Sequence, residues 1–428
     1  MKYDISKSTA PAMPNLGKGT EFIKLLLSQV SADMKEPLAP MLFPILGAHI
    51  KETQFLYPDQ SWKETCGMMA HLVAESGGNK GQLSAVADVL CRDFTLHDEE
   101  QLRRLTEWQR AVKTKGANKD KPERPDIAIW FPPADMTNPA FLQNAMALEK
   151  QGARCQYLNM SEVEMADRLC GSHRQVTQVL RNIYDRQRAG ALRATADGVT
   201  GNPILRVNIT ISSTPFAARK FYKNDLLNGT FGRVVFSYRP RQSRNGRIPR
   251  MGRYNEEFCR KVDAGLALLD GCKGNFVIDS LNKLICNLAE DMAVLADLAD
   301  DDVLWDMSKR ALVSAWKAGC IMWVLNDRHW AKTMSDMVEW LVYHDLWSKM
   351  RIFADLLGDN ADTTGDAKRR GPKNMLDSLP DTFSLEQLRQ LRISLGKSAD
   401  GKDQLRTWRN RGFITYSAQT GMYSKIIR

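Results

Sequence analysis

Apolar residues along this chain fall into two regimes that change over near Tyr254. Before it, short apolar runs alternate with amphipathic segments; beyond it, long stretches keep helical spacing with almost no strand pattern. Thr20 to Ser31 sets Phe22, Leu25, Leu26 and Val30 at helical spacing, and Leu38 to Ile50 is an apolar stretch broken by Pro40 and Pro44. Met68 to Ala74 is an apolar run interrupted only by His71; a glycine turn follows, and an amphipathic segment opens at Gln82. Asp126 to Phe131, Cys155 to Met160, Arg206 to Ser212 and Arg233 to Tyr238 read as further short strands. Helical stretches at 137–152 and 172–190 lie between them, which predicts an α/β sheet with crossover connections. In 255–357, Trp316, Trp323, Trp330, Trp340 and Trp347 fall on apolar helical faces, a placement for packing rather than stacking.

The ends have a different texture. Residues 1–20 are rich in Pro, Gly and Ser and read as a flexible arm; 358–377, with Gly, Asp and Lys-Arg-Arg, read as a linker. In 378–428, Ser384 is an N-cap with Glu386 and Gln387 in the first turn. Helices over 385–395 and 402–410 follow, and then two short strands around Gln419-Thr420-Gly421. Helix, turn, helix and β-hairpin is the layout of a winged helix. The predicted organisation is therefore an arm (1–20), an α/β domain (21–255), a helical extension (256–357), a linker (358–377) and a winged-helix domain (378–428).

Composition narrows the class. The chain has 428 residues, 43% hydrophobic and 26% charged, enough for one large core and smaller ones. Its net charge of +10 suits a polyanionic partner. Eight cysteines and six histidines are scattered without a C-x-x-C pair, which points away from a zinc site or disulfide framework and toward a reducing cytoplasm. The N-terminus is polar and no apolar run reaches about 18 residues, so neither a signal peptide nor a membrane span is expected.

The chemistry begins at the turn after Ala74. Strand, glycine loop, lysine and helix is the order of a phosphate-binding loop, G-x-x-x-x-G-K-[ST]. Here Ala74 stands at the first glycine, Asn79 at the second and Gly81 at the Ser/Thr, while Lys80 is kept. The candidate nucleotide contacts are Glu75, Ser76, Gly77, Gly78, Asn79, Lys80, Gly81 and Gln82. Their backbone N–H groups would cradle phosphate and Lys80 would reach the β and γ oxygens. A plain glycine turn with a solvated lysine is the competing reading. Gly81 lacks the hydroxyl that usually ligates Mg²⁺, with Ser76 or Ser84 as substitutes. At the end of 155–160, Glu162 is the candidate general base, against a helix N-terminus capped by Ser161. The tip Ser213-Thr214-Pro215 is placed to sense a γ-phosphate, and Arg233, after Asn228-Gly229-Thr230, to stabilise its charge in cis or across a subunit boundary. A turn and a surface charge are the alternatives there.

Taken in order, 68–81, Tyr157 to Glu162, Thr214-Pro215 and Gly229 to Arg233 resemble the P-loop, helicase-like domain of primase/helicase-type proteins of bacterial mobile elements and phages, over about 16–325. The resemblance implies a RecA/AAA-like core, ATP and Mg²⁺, a homo-oligomer, and a role in element replication or mobilisation beside a separate primase or other replication protein. The chain departs from that family at Ala74, Asn79, Gly81 and Ser161, which touches hydrolysis more than nucleotide binding.

Two basic segments identify DNA as the expected partner. Arg239 to Arg253 carries six arginines and no acid, with Arg241, Arg244, Arg247 and Arg250 as phosphate contacts. Residues 378–428 hold nine Lys/Arg against four Asp/Glu. Lys402, Gln404, Arg406 and Arg409 would lie on a recognition helix, with Arg411, Tyr416 and Lys425 at the wing. A solvated loop and a protein-binding winged helix are the respective alternatives. The expectation is an ATP- and DNA-binding helicase or loader of the cytoplasm. Its rival is a non-catalytic DNA-binding or scaffold protein with a degenerate loop.

Overall fold

The computed structural model describes residues 3–59, 63–64, 66–114, 122–152, 154–168, 176–190, 192, 199–223, 229–241, 252–354, 356–357 and 374–426. Helix α1 (Glu21–Ser28) buries Ile23, Leu26 and Leu27 and leads, through a single 3-10 turn, into α2 (Lys35–Ala48). Interior prolines cost a helix about 3 kcal/mol each. The break expected at Pro40 and Pro44 is nevertheless absent, because every residue of α2 from Pro37 to Ala48 is buried. Burial of one large aliphatic side chain returns about 1.5–3 kcal/mol, and α2 has several.

Strands β1 (Glu52–Leu56) and β2 (Lys63–Glu64) precede β3 (Met69–Ala74), which is buried along its whole length. Helices α3 (Gly81–Leu90), α4 (Arg92–Thr114) and α5 (Asn138–Lys150) come next, the last capped by the Thr137 hydroxyl. The chain continues through β4 (Gln156–Met160), α6 (Met165–Arg168), α7 (Val176–Tyr184), β5 (Val207–Ser213), α8 (Pro215–Tyr222), α9 (Thr230–Arg233) and β6 (Val235–Arg239). A helical part then holds α10 (Glu256–Gly271), β7 (Lys273–Phe276), α11 (Asp279–Ala299), α12 (Asp302–Leu325) and α13 (Lys332–Phe353). Last are β8 (Thr382–Phe383), α14 (Leu385–Ser394), α15 (Lys402–Asn410), β9 (Ile414–Ser417) and β10 (Met422–Lys425).

The main sheet is parallel throughout, in the order β4-β5-β3-β6. Its register aligns Met160 with Ile211, Val73 with Ser213 and Ala74 with Arg239. The carboxyl ends of all four strands therefore reach one edge, where open α/β sheets receive ligands. Strand β1 pairs parallel to β7 and antiparallel to β2 in a second, small sheet.

The β6 edge of the main sheet is closed by helix side chains, and the β4 edge is flanked by the segment 129–131. On α13, the Asp345 carboxylate accepts from Phe236 N at 2.7 Å and the Ser348 hydroxyl from Tyr238 N at 3.1 Å. Lys349, one turn on, pairs with Asp345 at 2.7 Å, and both side chains are buried. Burial pushes the Asp345 carboxyl up, opposed by Lys349 and by the Phe236 amide. Beyond β4, the expected strand 126–131 is not regular. The Ile129 amide donates to Asn144 at 2.7 Å, and those of Trp130 and Phe131 to Asp98 at 2.8 and 2.7 Å. Those two side chains take the donors that a ladder would use, leaving one backbone bond to the sheet, Tyr157 N to Trp130 O at 2.8 Å.

One apolar core runs from Ile5 to Phe353, so the helical part is not a separate body. Trp316, Trp340 and Trp347 are buried in it, as their spacing predicts. Residues 3–20 form no regular element, yet they are strapped along α13 rather than left as an arm. Trp340 Nε1 donates to Pro11 O at 2.8 Å, Trp347 Nε1 to Lys7 O at 3.0 Å, and Arg351 to Ser6 O at 2.9 Å. The C-terminal unit has its own core of Met375, Leu376, Leu379, Phe383, Leu388, Leu405, Trp408 and Ile414. Of the expected linker, 358–373 lie outside the described residues, and Met375 and Leu376 belong to that core. Among the described residues no helix is long and apolar enough to cross a membrane.

Replacing Asp345 by Ala leaves the Lys349 charge buried and a strand amide unpaired. The expected loss is about 3–5 kcal/mol in denaturant unfolding followed by tryptophan fluorescence. A loss below about 1 kcal/mol, the size of a single ordinary hydrogen bond, would show that α13 holds the edge by packing alone.

Candidate functional site

The turn after β3 has a defined geometry. Gly78 N donates to Glu75 O at 2.9 Å, closing a four-residue turn whose third residue, Gly77, takes φ +74. A Cβ on Gly78 would lie 2.7 Å from Glu75 O and 2.9 Å from the Ala74 Cβ, so this position has room only for glycine. Asn79 then adopts φ +60, a left-handed conformation that asparagine tolerates best among residues with a side chain. Asn79 thus reproduces the backbone that a glycine would supply there. Gly81 has open space around it, so its lack of a side chain answers no steric demand.

Gln82 N and Leu83 N donate back to Asn79 O and Lys80 O at 3.2 and 3.0 Å. Among the described residues the amides of Gly77, Asn79, Lys80 and Gly81 have no carbonyl partner. Successive free amides at a helix start make an anion-binding concavity. Lys80 spans its mouth, with Nζ donating to Ala74 O at 3.0 Å and Glu75 O at 3.4 Å. Partial burial lowers its pKa, opposed by the nearby carboxylates of Glu162 and Glu75. Glu162 is therefore close enough to feel Lys80, and it is exposed at the end of β4, level with Ser213. Gln82 leaves the set. Its side chain is buried, accepting from Ser31 N at 2.9 Å and donating to the Ser31 hydroxyl at 2.8 Å.

Thr214 caps α8, its side chain accepting from Ala217 N at 3.3 Å. Ser213, buried beside it, bonds to His71 on β3. The Ser213 hydroxyl donates to Thr214 O at 3.1 Å, so the His71 Nε2–H is the donor to Ser213 at 2.8 Å. His71 Nδ1 then accepts from the Tyr222 hydroxyl at 3.2 Å. Burial, with the Lys80 charge second, holds this imidazole neutral, its pKa lowered to about 3. A buried chain from Tyr222 to the strand tip was not anticipated; its one sequence signal was a histidine interrupting an apolar strand.

Arg233 is not at this edge. It ends α9, before β6, and so lies at the amino ends of the strands, about 16 Å from the tips at the rise of a strand. Its guanidinium forms a fork on Asp185 at 3.1 and 2.7 Å and donates to Gly229 O at 2.8 Å. Within the chain Arg233 is thus engaged in a structural pair and does not reach the Lys80 edge. Arg239, at the carboxyl end of β6 beside Ala74, is the arginine the strand tips do hold, paired with Asp33.

On the C-terminal unit, β8, β10 and β9 form one antiparallel sheet beside α14 and α15, and Ser384 and Gln387 complete a capping box. Helix α15 turns Leu405 and Trp408 inward and exposes Lys402, Arg406 and Arg409 as one stripe at i, i+4 and i+7. Arg409 lies 5.9 Å from the ring centre of Tyr416, which is 44% exposed. Three expected contacts are engaged elsewhere. Gln404 is buried, donating to Asp297 O at 2.7 Å; Arg411 pairs with Asp297 at 2.8 Å; and Lys425, mostly buried, faces Asp381 at 3.9 Å. Arg241 is exposed just past β6, whereas Arg244, Arg247, Arg250 and Asn228 lie outside the described residues.

No family model and no curated protein matches the chain. Among the described residues no group of three or more His, Cys, Asp or Glu comes together as a metal site.

The His71 environment gives a pH signature. Between about 3 and the ordinary value of 6.5 the unfolded chain binds a proton that folded His71 refuses, so stability falls as pH drops through that window. Relative to the parent, His71→Asn is expected to flatten this fall by about 1.4 kcal/mol per pH unit, measured by denaturant unfolding across the window. An unchanged slope would mean that the folded imidazole is already protonated.

Proposed function

We propose that the protein binds the phosphates of ATP at the β3–α3 turn and DNA through the C-terminal unit, read as a winged helix. In this reading it is a helicase- or loader-like, oligomeric ATPase serving a mobile element, alongside a primase or other replication protein. One observation carries the nucleotide part. A turn of free amides, crossed by Lys80, stands at the carboxyl edge of the central strand of a parallel sheet, with Glu162 beside it. The order in which β5 lies between the loop strand and the acid-bearing strand suits the RecA/AAA-like core that the resemblance implies.

The residues fit ATP better than its metal. Mg²⁺ is held by one or two carboxylates with phosphate oxygens and water. Glu162 offers one carboxylate, Gly81 offers no hydroxyl, and Ser84 accepts from Asn159 at 3.3 Å. In this reading the loop amides and Lys80 bind and orient the phosphates, and Glu162 holds the attacking water. The non-catalytic rival draws on the same gap at Gly81. DNA binding is supported by the stripe of Lys402, Arg406 and Arg409 with Tyr416 at its side, uncompensated by acids on that face except Asp403.

Lys80→Ala is expected to weaken a fluorescent ATP analogue by at least about tenfold, the worth of a charge-assisted hydrogen bond. Equal affinity would remove the phosphate-loop reading. DNA-stimulated ATP turnover that Lys80→Ala abolishes supports the motor; tight binding with no turnover selects the non-catalytic rival. Replacing Arg406 and Arg409 together by Ala should weaken duplex DNA and make the salt dependence shallower by about 1.8, at 0.9 per phosphate contact. An unaltered slope would exclude that face.

A further inference from the structure

Helix α8 starts at the strand edge that carries Lys80 and Glu162, and its outer face combines an exposed aromatic ring with unpaired charge. Phe216 is 73% exposed in the first turn, immediately after the Thr214 cap and Pro215. Lys220 and Lys223 are exposed one and two turns further on, at i+4 and i+7 from it, about 6 and 10 Å along the axis. Neither lysine makes an ion pair with a described residue, and 214–223 contains three basic residues and no acid. The opposite face anchors the helix: Ala218 and Tyr222 are buried, and Arg219 donates to Ile352 O at 3.3 Å. The aromatic ring and both charges are thus presented on a helix that is itself fixed.

We infer that the Phe216–Lys220–Lys223 face of α8 binds single-stranded nucleic acid, Phe216 stacking on an unpaired base and the lysines meeting the phosphates. Any base offers the exposed ring a π-face, and the cations beside it suit the phosphates of the same strand. Stacking needs an unstacked base, which duplex DNA does not present, so the ring selects single strands. Charge complementarity disfavours a basic or apolar protein surface, since two unpaired lysines follow the ring along the same face. The site is separate from the α15 stripe and gives the chain a second nucleic-acid contact next to the nucleotide turn. It rests on the nucleic-acid part of the proposed function and not on ATP binding.

The test is the full chain, titrated by fluorescence anisotropy against labelled oligo-dT and a duplex of equal length, longer than a site of about 4–16 nucleotides. Phe216→Ala should weaken the single strand about five- to a hundredfold and leave the duplex unchanged, while Phe216→Trp retains affinity. Lys220→Ala with Lys223→Ala should make the single-strand salt slope shallower by about 1.4, at 0.7 per contact. Phe216→Ala with full single-strand affinity, or with equal losses for both probes, overturns the assignment. So does a change in oligomer size with unchanged affinity, which would make α8 a protein contact. Repeating Phe216→Ala in the Arg406→Ala, Arg409→Ala background separates the two faces. Loss of all binding on altering α15 alone sinks α8 and leaves the C-terminal reading standing; no binding by the parent protein sinks both.

Discussion

A four-stranded parallel sheet exposes a row of unpaired backbone groups at each edge, and closing those edges constrains the rest of this molecule. An amide left buried without a partner costs about 1–3 kcal/mol. Here helix side chains close the β6 edge directly and, at the β4 edge, hold the segment that lies beside it. Asp345 and Ser348 sit three apart on α13 and serve the amides of Phe236 and Tyr238, two apart on β6. On the far side, Asp98 of α4 and Asn144 of α5 serve Ile129, Trp130 and Phe131. A carboxylate used this way must stay charged or find a proton donor, and Lys349 answers that need for Asp345. This ties α13 to the sheet, and the strap of residues 3–20, bonded to Trp340, Trp347 and Arg351, then covers α13 in turn.

The same economy explains the strand tips. Four departures from a phosphate-loop pattern have different consequences once the backbone is known. Asn79 keeps the left-handed φ that the pattern needs, and Ala74, at the end of a fully buried strand, packs against Gly78. Those two changes preserve shape. Gly81 and Ser161 alter the donor set instead, removing a hydroxyl and a carboxylate from places where Mg²⁺ chemistry uses them. Two of the four departures thus keep the backbone of the turn, and two take polar groups away from the strand tips.

Period and turn chemistry made much of this legible beforehand. The four strands of the main sheet, α15 and the Ser384 cap lie within a residue or two of where alternation and capping put them. The misses have physical causes. Pro40 and Pro44 argue locally against α2, and only tertiary burial reverses them. The 126–131 strand has the right residues but loses its ladder to Asp98 and Asn144, which are distant in sequence. Arg233 stands at the head of its strand, as its place ahead of 233–238 implies; what the sequence does not show is that this end of β6 lies away from the Lys80 edge. Gln82, Gln404, Arg411 and Lys425 are all polar residues on predicted faces whose buried or paired state depends on neighbours far along the chain.

Charge shows most clearly why composition alone misleads about binding surfaces. The C-terminal unit's excess of basic residues would suggest a broadly cationic module. Yet Arg392 and Lys397 are tied to Asp300, and Arg411 to Asp297, at the carboxyl end of α11, where cations are also favoured by the helix dipole. Those three hold the unit against the main body. A cation engaged by a half-buried carboxylate must give up that pair before it can meet a phosphate, and a buried pair is costly to break. Lys402, Arg406 and Arg409 pay no such cost, and neither do Lys220 and Lys223 on α8. Among the described residues, two short helical stripes thus carry exposed cations without an ion pair, each with an exposed aromatic ring at its side or head.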